Sequence, residues 1–211
     1  DQDGNEKWFS YLPDIKCNFA NNMITFNERE FIVSGQNSNQ LFISKINTRG
    51  KVLWQYNYFN DTKYHRVYDL KKTNDGGIIA VGNSTKSKDY SFDILLIKLS
   101  KDGKKEWIKT FGNKTNEVAY DIEQNIKSEY IITGYALIDK QKKIYDSFII
   151  KTDSLGNKIK RLNFNLKKSN QLYDINIEYN KNFKKEYYFG VGNIFNEDGK
   201  SEIWITKFNL D

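Results

Sequence analysis

The sequence predicts an all-β fold, a four-bladed β-propeller of four-stranded antiparallel blades, on three observations. Turn glycines recur at Gly4, Gly50, Gly103 and Gly156, spaced by about 50 residues. The last three are preceded by the apolar runs LFISKIN, DILLIKLS and SFIIKTD. The fourth residue after the glycines is Trp8, Trp54 and Trp107, with Lys160 in the last copy. Two further apolar segments precede each run, so every period holds four short strands separated by clusters such as TNDGG, NKTNE and NEDGK. Four antiparallel strands per repeat of about 40–50 residues is the pattern of a propeller blade.

The strands follow in order. NNMITF, REFIVSG, LFISKI and VLWQYNY predict a first blade at Asn22–Phe26, Phe31–Gly35, Leu41–Ile46 and Val52–Tyr58. The second has Val67–Thr73, Ile78–Gly82, Asp93–Leu99 and Glu106–Phe111, where the Asp75-Gly76-Gly77 and Asp102-Gly103 turns separate β-branched runs. The third has Val118–Asn125, Tyr130–Gly134, Ser147–Thr152 and Lys158–Phe164. The fourth has Leu172–Tyr179, Tyr187–Gly192 and Ile203–Phe208, and lacks an outer strand. The segment Glu6–Leu12 carries the outer-strand pattern, and pairing it beside Ile203–Phe208 would close the ring and remove two exposed sheet edges. The result is one domain over residues 1–211, with blades at 18–58, 67–111, 118–164 and 172–208 plus 6–12. The competing architectures are two packed sheets, or an open part of a larger propeller completed by oligomerisation.

Composition narrows the chemistry. With 14 Tyr, 14 Phe, 4 Trp and a single Pro, the chain is rich in strand formers. No apolar run approaches the roughly 20 residues that a membrane helix needs. Cys17 stands alone, which excludes an internal disulfide and a cysteine-rich metal site. His65 also stands alone, which leaves no pair for zinc and disfavours a His-dependent triad; it reads as a solvated loop residue. The net charge is +6, but only Arg29, Arg49, Arg66 and Arg161 among the 33 basic residues are arginines. The lysines are spread among acids rather than gathered in a stripe, so a lysine-rich solvated surface fits better than a nucleic-acid interface.

The run from Trp107 through VAYDI, EYIITGYA and YDSFIIKTDSLGN resembles the bacterial seven-bladed (SBBP-like) β-propeller repeats. YDLKKTNDGGIIAVGNST followed by DILLIKLSKDGKKEW is the closest copy. The likeness runs along essentially the whole chain and extends more distantly to quinoprotein-like repeats. It departs in having four repeats rather than seven, in Lys160 for Trp, and in keeping a DGG turn only at Asp75–Gly77. The resemblance implies an extracytoplasmic or surface protein of bacteria. It implies no shared catalytic residues.

Two candidate sites emerge. Asp69, Asp121 and Asp174 hold matching positions in the predicted innermost strands, with Asn22 in the first. Strand alternation puts Asp121 with Glu123 and opposite Tyr120, so a polar parity would line the axial channel. Three carboxylates and an amide there suit Ca²⁺ or Mg²⁺. The structural alternative is that each Asp accepts hydrogen bonds from neighbouring backbone and fixes blade packing. The second candidate is the loop face after the second and fourth strands of each blade, with Tyr64, Tyr90, Lys140, Lys142, Lys143, Tyr145, Lys167 and Lys168. Trp8, Trp54 and Trp107 read as packing between blades, and Asp93, Asp146 and Glu202, with Gln40, as scaffold.

The functional expectation is a non-enzymatic, extracytoplasmic binding or scaffold propeller that engages a protein or acidic glycan through the loop-rich face, with nucleic acid disfavoured. It is expected to be a monomer, with a removed leader and a lipid anchor upstream of Asp1 as its route to a membrane. The alternative is a hydrolase or lyase with an axial carboxylate site. No catalytic residue and no organic cofactor is assigned.

Overall fold

The computed structural model describes residues 19–36, 40–59, 64–85, 91–112, 115–182, 184–196, 198 and 200–210. These form four antiparallel sheets and no helix. The first sheet comprises β1 (Phe19–Asn27), β2 (Glu30–Gln36), β3 (Gln40–Asn47) and β4 (Val52–Phe59). The second comprises β5 (His65–Lys72), β6 (Ile78–Thr85), β7 (Phe92–Leu99) and β8 (Lys105–Phe111). The third comprises β9 (Glu117–Gln124), β10 (Tyr130–Asp139), β11 (Ile144–Thr152) and β12 (Lys158–Asn163). The fourth has three strands, β13 (Asn170–Asn180), β14 (Lys185–Phe195) and β15 (Ser201–Phe208). Strands pair in sequence order within each sheet. Trp8, Tyr90, Cys17 and the segment Glu6–Leu12 lie outside the described residues.

The turns between third and fourth strands show why the chain reverses there. Gly50, Gly103 and Gly156 have φ of 75°, 76° and 75°, which a side chain rarely tolerates. The residue three before each glycine caps the turn. Asn47 Oδ1 accepts from the amides of Arg49 and Lys51, and Asp153 Oδ1 from those of Leu155 and Asn157, all within 3.0 Å. Asn125 repeats the device between β9 and β10, where Ser128 holds the left-handed position at φ 62°.

Successive sheets stack through apolar faces. Ile79, Val81, Ile94 and Leu96 of the second sheet meet Ile132, Phe148 and Ile150 of the third in one cluster. Ile131 and Ile149 of the third meet Leu172, Ile175 and Trp204 of the fourth in another. The middle sheets are thus covered on both faces, which explains why IIAV and ILLI are unbroken apolar runs rather than alternating ones. Each such side chain removed from water contributes about 1.5–3 kcal/mol.

The outer tryptophans lie over the next sheet's turn. A side chain at Gly103 would meet the Trp54 ring, and one at Gly156 the Trp107 ring. A single contact therefore accounts for both the Trp and the Gly of the repeat. The fourth sheet presents Val191, Ile203 and Ile205 on its far face, the two isoleucines 79% and 75% exposed. The same positions of the second sheet, Val81, Ile94 and Leu96, are fully buried. Inner strands join neighbouring sheets, β1 to β5, β5 to β9 and β9 to β13; among the described residues no comparable seam joins β13 to β1.

The first strand of every sheet carries a β-bulge at one repeat position. Pairing with the second strand shifts at Ala20/Asn22, at Val67/Asp69, between Ala119 and Asp121, and at Leu172/Asp174. The extra residue is Asn21, Tyr68, Tyr120 or Tyr173, immediately before the repeated Asn or Asp. The bulge corrects the expected alternation, because Tyr and Asp, though consecutive, both reach the neighbouring inner strand. Opposite it stands Gly35, Gly82, Gly134 or Gly192, where a Cβ would collide with the carbonyl oxygen of Phe19, Arg66, Val118 or Gln171.

Two further readings change. His65 is not a solvated loop residue: it lies on β5, 1% exposed, edge-on to Tyr58 at 5.0 Å between centroids. Nor is every lysine on the surface. Lys45, Lys98 and Lys151, on the third strands of the first three sheets, are nearly buried and paired to Glu30 at 3.3 Å, to Asp75 at 2.9 Å with Glu106 at 3.1 Å, and to Glu129 at 2.9 Å. Where Glu30 and Glu129 stand, the second sheet has Gly77, and a Cβ there would strike the Lys98 Nζ.

Gly134→Ala is expected to lower the stability by about 1–3 kcal/mol, the usual cost of overpacking, whereas alanine at an unhindered strand glycine would stabilise. Urea titration of both Gly134→Ala and Gly82→Ala decides this; unchanged midpoints would show that the bulge does not need the glycine.

Candidate functional site

The four residues expected at the centre sit on β1, β5, β9 and β13, immediately after the bulges. Three of them, Asn22, Asp69 and Asp121, reach across a seam to the next sheet. The amide of Ile175 donates to Asp121 Oδ2 at 2.8 Å, and that of Ile122 to Asp69 Oδ2 at 3.4 Å. The Asn22 side-chain amide donates to the Tyr68 carbonyl, and that of Asn21 to the Val67 carbonyl at 3.2 Å. Among the carboxylates lies Lys71, whose Nζ is 2.8 Å from Glu123 and 3.6 Å from both Asp69 and Asp121. Among the described residues no group of three or more His, Cys, Asp or Glu side chains is arranged to hold a metal ion. The cation among these carboxylates is the Lys71 ammonium.

The electrostatics follow from that crowding. Burial, reinforced by the hydrogen bond and the charge of Asp69, pushes the Asp121 carboxyl up to about 6. Burial and Asp121 also raise Asp174. Burial opposes the charge on Lys71, but the bond to Glu123 and the fields of Asp121, Asp69 and Glu123 outweigh it, and its pKa rises above the usual lysine range. This arrangement ties neighbouring sheets together, with Asp69 and Asp121 engaged by backbone amides and by the Lys71 ammonium.

The other candidate is a concavity. Between the third and fourth sheets a cleft of about 660 Å³ is lined by Lys142, Lys143, Ile144 and Tyr145 from the β10–β11 turn and the start of β11. Lys167, Lys168, Ser169 and Gln171 line it from the β12–β13 connection and β13, and Phe195 and Asn196 from the end of β14. The volume lies within the range of about 300–1,000 Å³ typical of ligand sites. Five of the residues expected on the loop face, Lys142, Lys143, Tyr145, Lys167 and Lys168, come together here. Lys140 is exposed on the same turn but does not line the cleft. Tyr64 is elsewhere, edge-on to Phe92 at 5.8 Å. Tyr90 lies outside the described residues.

The rim is held by repeated ties between the two loop types. The Phe195 amide donates to the Ser169 carbonyl at 2.8 Å, as Leu137 does to Asn116 and Thr85 to Tyr64 in the earlier sheets. Ser169 Oγ accepts from the Tyr145 amide at 3.0 Å, and Asn170 Oδ1 from the Ser147 amide at 2.9 Å. Asp146 accepts from the Asn165 amide at 2.9 Å and the Asn170 side chain at 3.1 Å, a scaffold role that matches its repeated position. Among the described residues no carboxylate lines the cleft, and four lysines face it.

Beside the cleft lies a cluster of tyrosines that sequence reading left unassigned. Tyr120 meets Tyr68 at 4.6 Å, Tyr135 at 5.4 Å and Tyr173 at 5.2 Å between ring centroids, and Tyr135 meets Tyr145 at 5.2 Å. The Tyr120 and Tyr135 hydroxyls are 3.0 Å apart. Burial pushes Tyr68 up to about 12 and raises Tyr135 and Tyr173, so these phenols stay neutral at physiological pH. The recurring Tyr-Asp pair in VYDL, AYDI and LYDI was the available signal, masked because alternation assigns the two residues to opposite faces. A scan of protein-family models and a search of curated proteins return no match to this chain. The likeness to bacterial propeller repeats therefore rests on the repeat motifs themselves.

Lys71→Met is expected to cost about 1–3 kcal/mol at pH 7, because it leaves half-buried carboxylates without their cation. The loss should shrink toward pH 4, where the Asp121 carboxyl is protonated. A carboxyl whose folded pKa exceeds its ordinary 3.8 loses stability as pH rises from that value to about 6. Asp121→Asn should accordingly flatten the melting temperature across that window. An unaltered pH profile for both variants would exclude coupling within the cluster.

Proposed function

We propose that this chain is a non-enzymatic binding module of β-propeller type and that its ligand is anionic, captured at the cleft between the third and fourth sheets. The observation that carries this reading is the wall itself: Lys142, Lys143, Lys167 and Lys168, with no carboxylate among the described lining residues. Like charges brought together raise the local potential and attract an anion from a distance. The axial carboxylates, engaged by Lys71 and backbone amides, favour a structural role over the hydrolase reading. The extracytoplasmic setting is taken from the resemblance to bacterial surface repeats.

The propeller reading is supported by the recurrence of one seam three times, with bulge, cross-strand Asp or Asn and apolar face in each. Its closure uses Glu6–Leu12 as the outer strand beside β15, and places Ile203 and Ile205 against the first sheet. Trp8 then stands to Gly50 as Trp54 stands to Gly103. Hydrogen exchange tests this directly: β15 amides should be protected in the full chain and lose protection when residues 1–16 are deleted. Equal exchange in the two proteins would leave the arc open.

The cleft is tested by charge reversal. Lys142→Glu with Lys143→Glu should lower affinity for a heparin column by about tenfold or more, since each lysine near a polyanion contributes on the order of 1 kcal/mol. Lys101→Glu with Lys104→Glu, at the β7–β8 turn, changes net charge equally and should have a smaller effect. Equal losses in both pairs would reduce the binding to net charge and remove the cleft as its site.

A further inference from the structure

Resting on the anionic-ligand reading, we infer that the cleft takes an acidic oligosaccharide, with its anionic groups on the lysines and its sugar rings on the tyrosines beside them. The two surfaces are joined by shared residues. Tyr145 lines the cleft and also meets Tyr135 at 5.2 Å. Gln171 lines the cleft, and its side-chain oxygen accepts from the Tyr173 hydroxyl. From these two residues the aromatic surface continues through Tyr120 to Tyr68, where the Arg66 guanidinium lies 4.7 Å from the ring centre. A basic wall thus runs into a half-buried aromatic floor with phenolic hydroxyls.

That combination selects among anions. A pyranose ring has an apolar C–H face that packs on an aromatic ring, and hydroxyls that exchange hydrogen bonds with phenol and amide groups. Lysine ammoniums on flexible stems suit carboxylates or sulfates at varied spacings, whereas planar bidentate reading of phosphate favours arginine. Among the described residues no arginine lines the cleft. A protein partner is the poorer fit, because protein interfaces are enriched in arginine and depleted of lysine, and are broad rather than concave. The described acids of the flanking segments are engaged outside the lining lysines: Asp139 Oδ1 accepts from the amides of Gln141 and Lys142, Asp146 accepts from Asn165 and Asn170, Asp198 pairs with Lys200 at 3.2 Å, and Glu202 accepts from the Asn196 side chain.

Isothermal titration of the full chain with four probes decides it: oligogalacturonate (carboxylate), a heparin-derived oligosaccharide (sulfate), a neutral malto-oligosaccharide and poly-glutamate. Either acidic sugar should bind at least tenfold more tightly than both the neutral sugar and poly-glutamate, and the stronger of the two distinguishes carboxylate from sulfate. Tyr145→Ala should weaken that sugar by about tenfold, the scale of one lost aromatic stack, with little effect on poly-glutamate. Lys167→Gln with Lys168→Gln, on an exposed loop that cannot unfold the sheets, should weaken every polyanion. If poly-glutamate binds as well as the sugars and Tyr145→Ala changes neither, the ligand is an acidic polypeptide; the sugar inference fails and the anionic cleft stands. If the neutral sugar binds equally well, the lysines do not select and both fail. If no polyanion binds at physiological salt, both readings also fail.

Discussion

The arrangement of this molecule depends on a bulge placed once in the inner strand of every sheet. Regular pleating would send consecutive residues to opposite faces, and only one of Tyr120 and Asp121 would reach the neighbouring strand. The extra residue turns both toward the seam, so that the carboxylate takes the Ile175 amide while the ring meets Tyr68 and Tyr173. The bulge in turn requires glycine on the paired strand, because the carbonyl before the bulge occupies the space of a Cβ. A three-residue device, Tyr, Asp and an opposing Gly, is therefore one structural unit spread over two strands.

Around that unit the sheets are joined by two other repeated contacts. Apolar residues from both faces of the middle sheets fill the seams, and the outer tryptophans lie over the next turn glycine. The third strands of the first three sheets carry a nearly buried lysine whose acid partner varies in position, as the exchange of Glu30 and Glu129 for Asp75 and Glu106 shows. Breaking such a pair leaves a charge in a poorly hydrated place, which makes the lysine costly to lose whether or not the intact pair is a large net stabiliser. Binding chemistry is added on top of this frame. The lysine cleft is built from the β10–β11 turn and the β12–β13 connection, held together by the Ser169 and Asn170 ties.

Particular residues show where sequence reading reached the structure and where it stopped. The described strands were legible because their apolar runs and turn residues recur. The roles of Gly103 and Trp54 were legible separately, but their mutual contact was not. The gathering of Lys142, Lys143, Lys167 and Lys168 followed from placing two loops at one end of the sheets. Lys71 escaped notice because it has no counterpart at its position in the other repeats. His65 was misjudged because a single residue carries no periodic signal, and its burial against Tyr58 is decided by the strand that packs over it.

The sequence by itself determined the class of the protein, its repeat and its strand order, because period, turn chemistry and apolar runs are local properties of the chain. It also placed the lysine-bearing loops on one face, since alternate connections in a four-stranded sheet return to the same end. Only the tertiary structure decided that the inner carboxylates surround an ammonium, that the tyrosines form one surface, and that the cleft lies between the third and fourth sheets. Inner-strand relations such as Lys71 with Glu123 and Asp121 with Ile175 join residues 52 and 54 positions apart, and the cleft joins loops whose ties span 23 and 24 positions. A register shift of one residue, invisible in a pattern of alternation, sets which side chains meet across the seam.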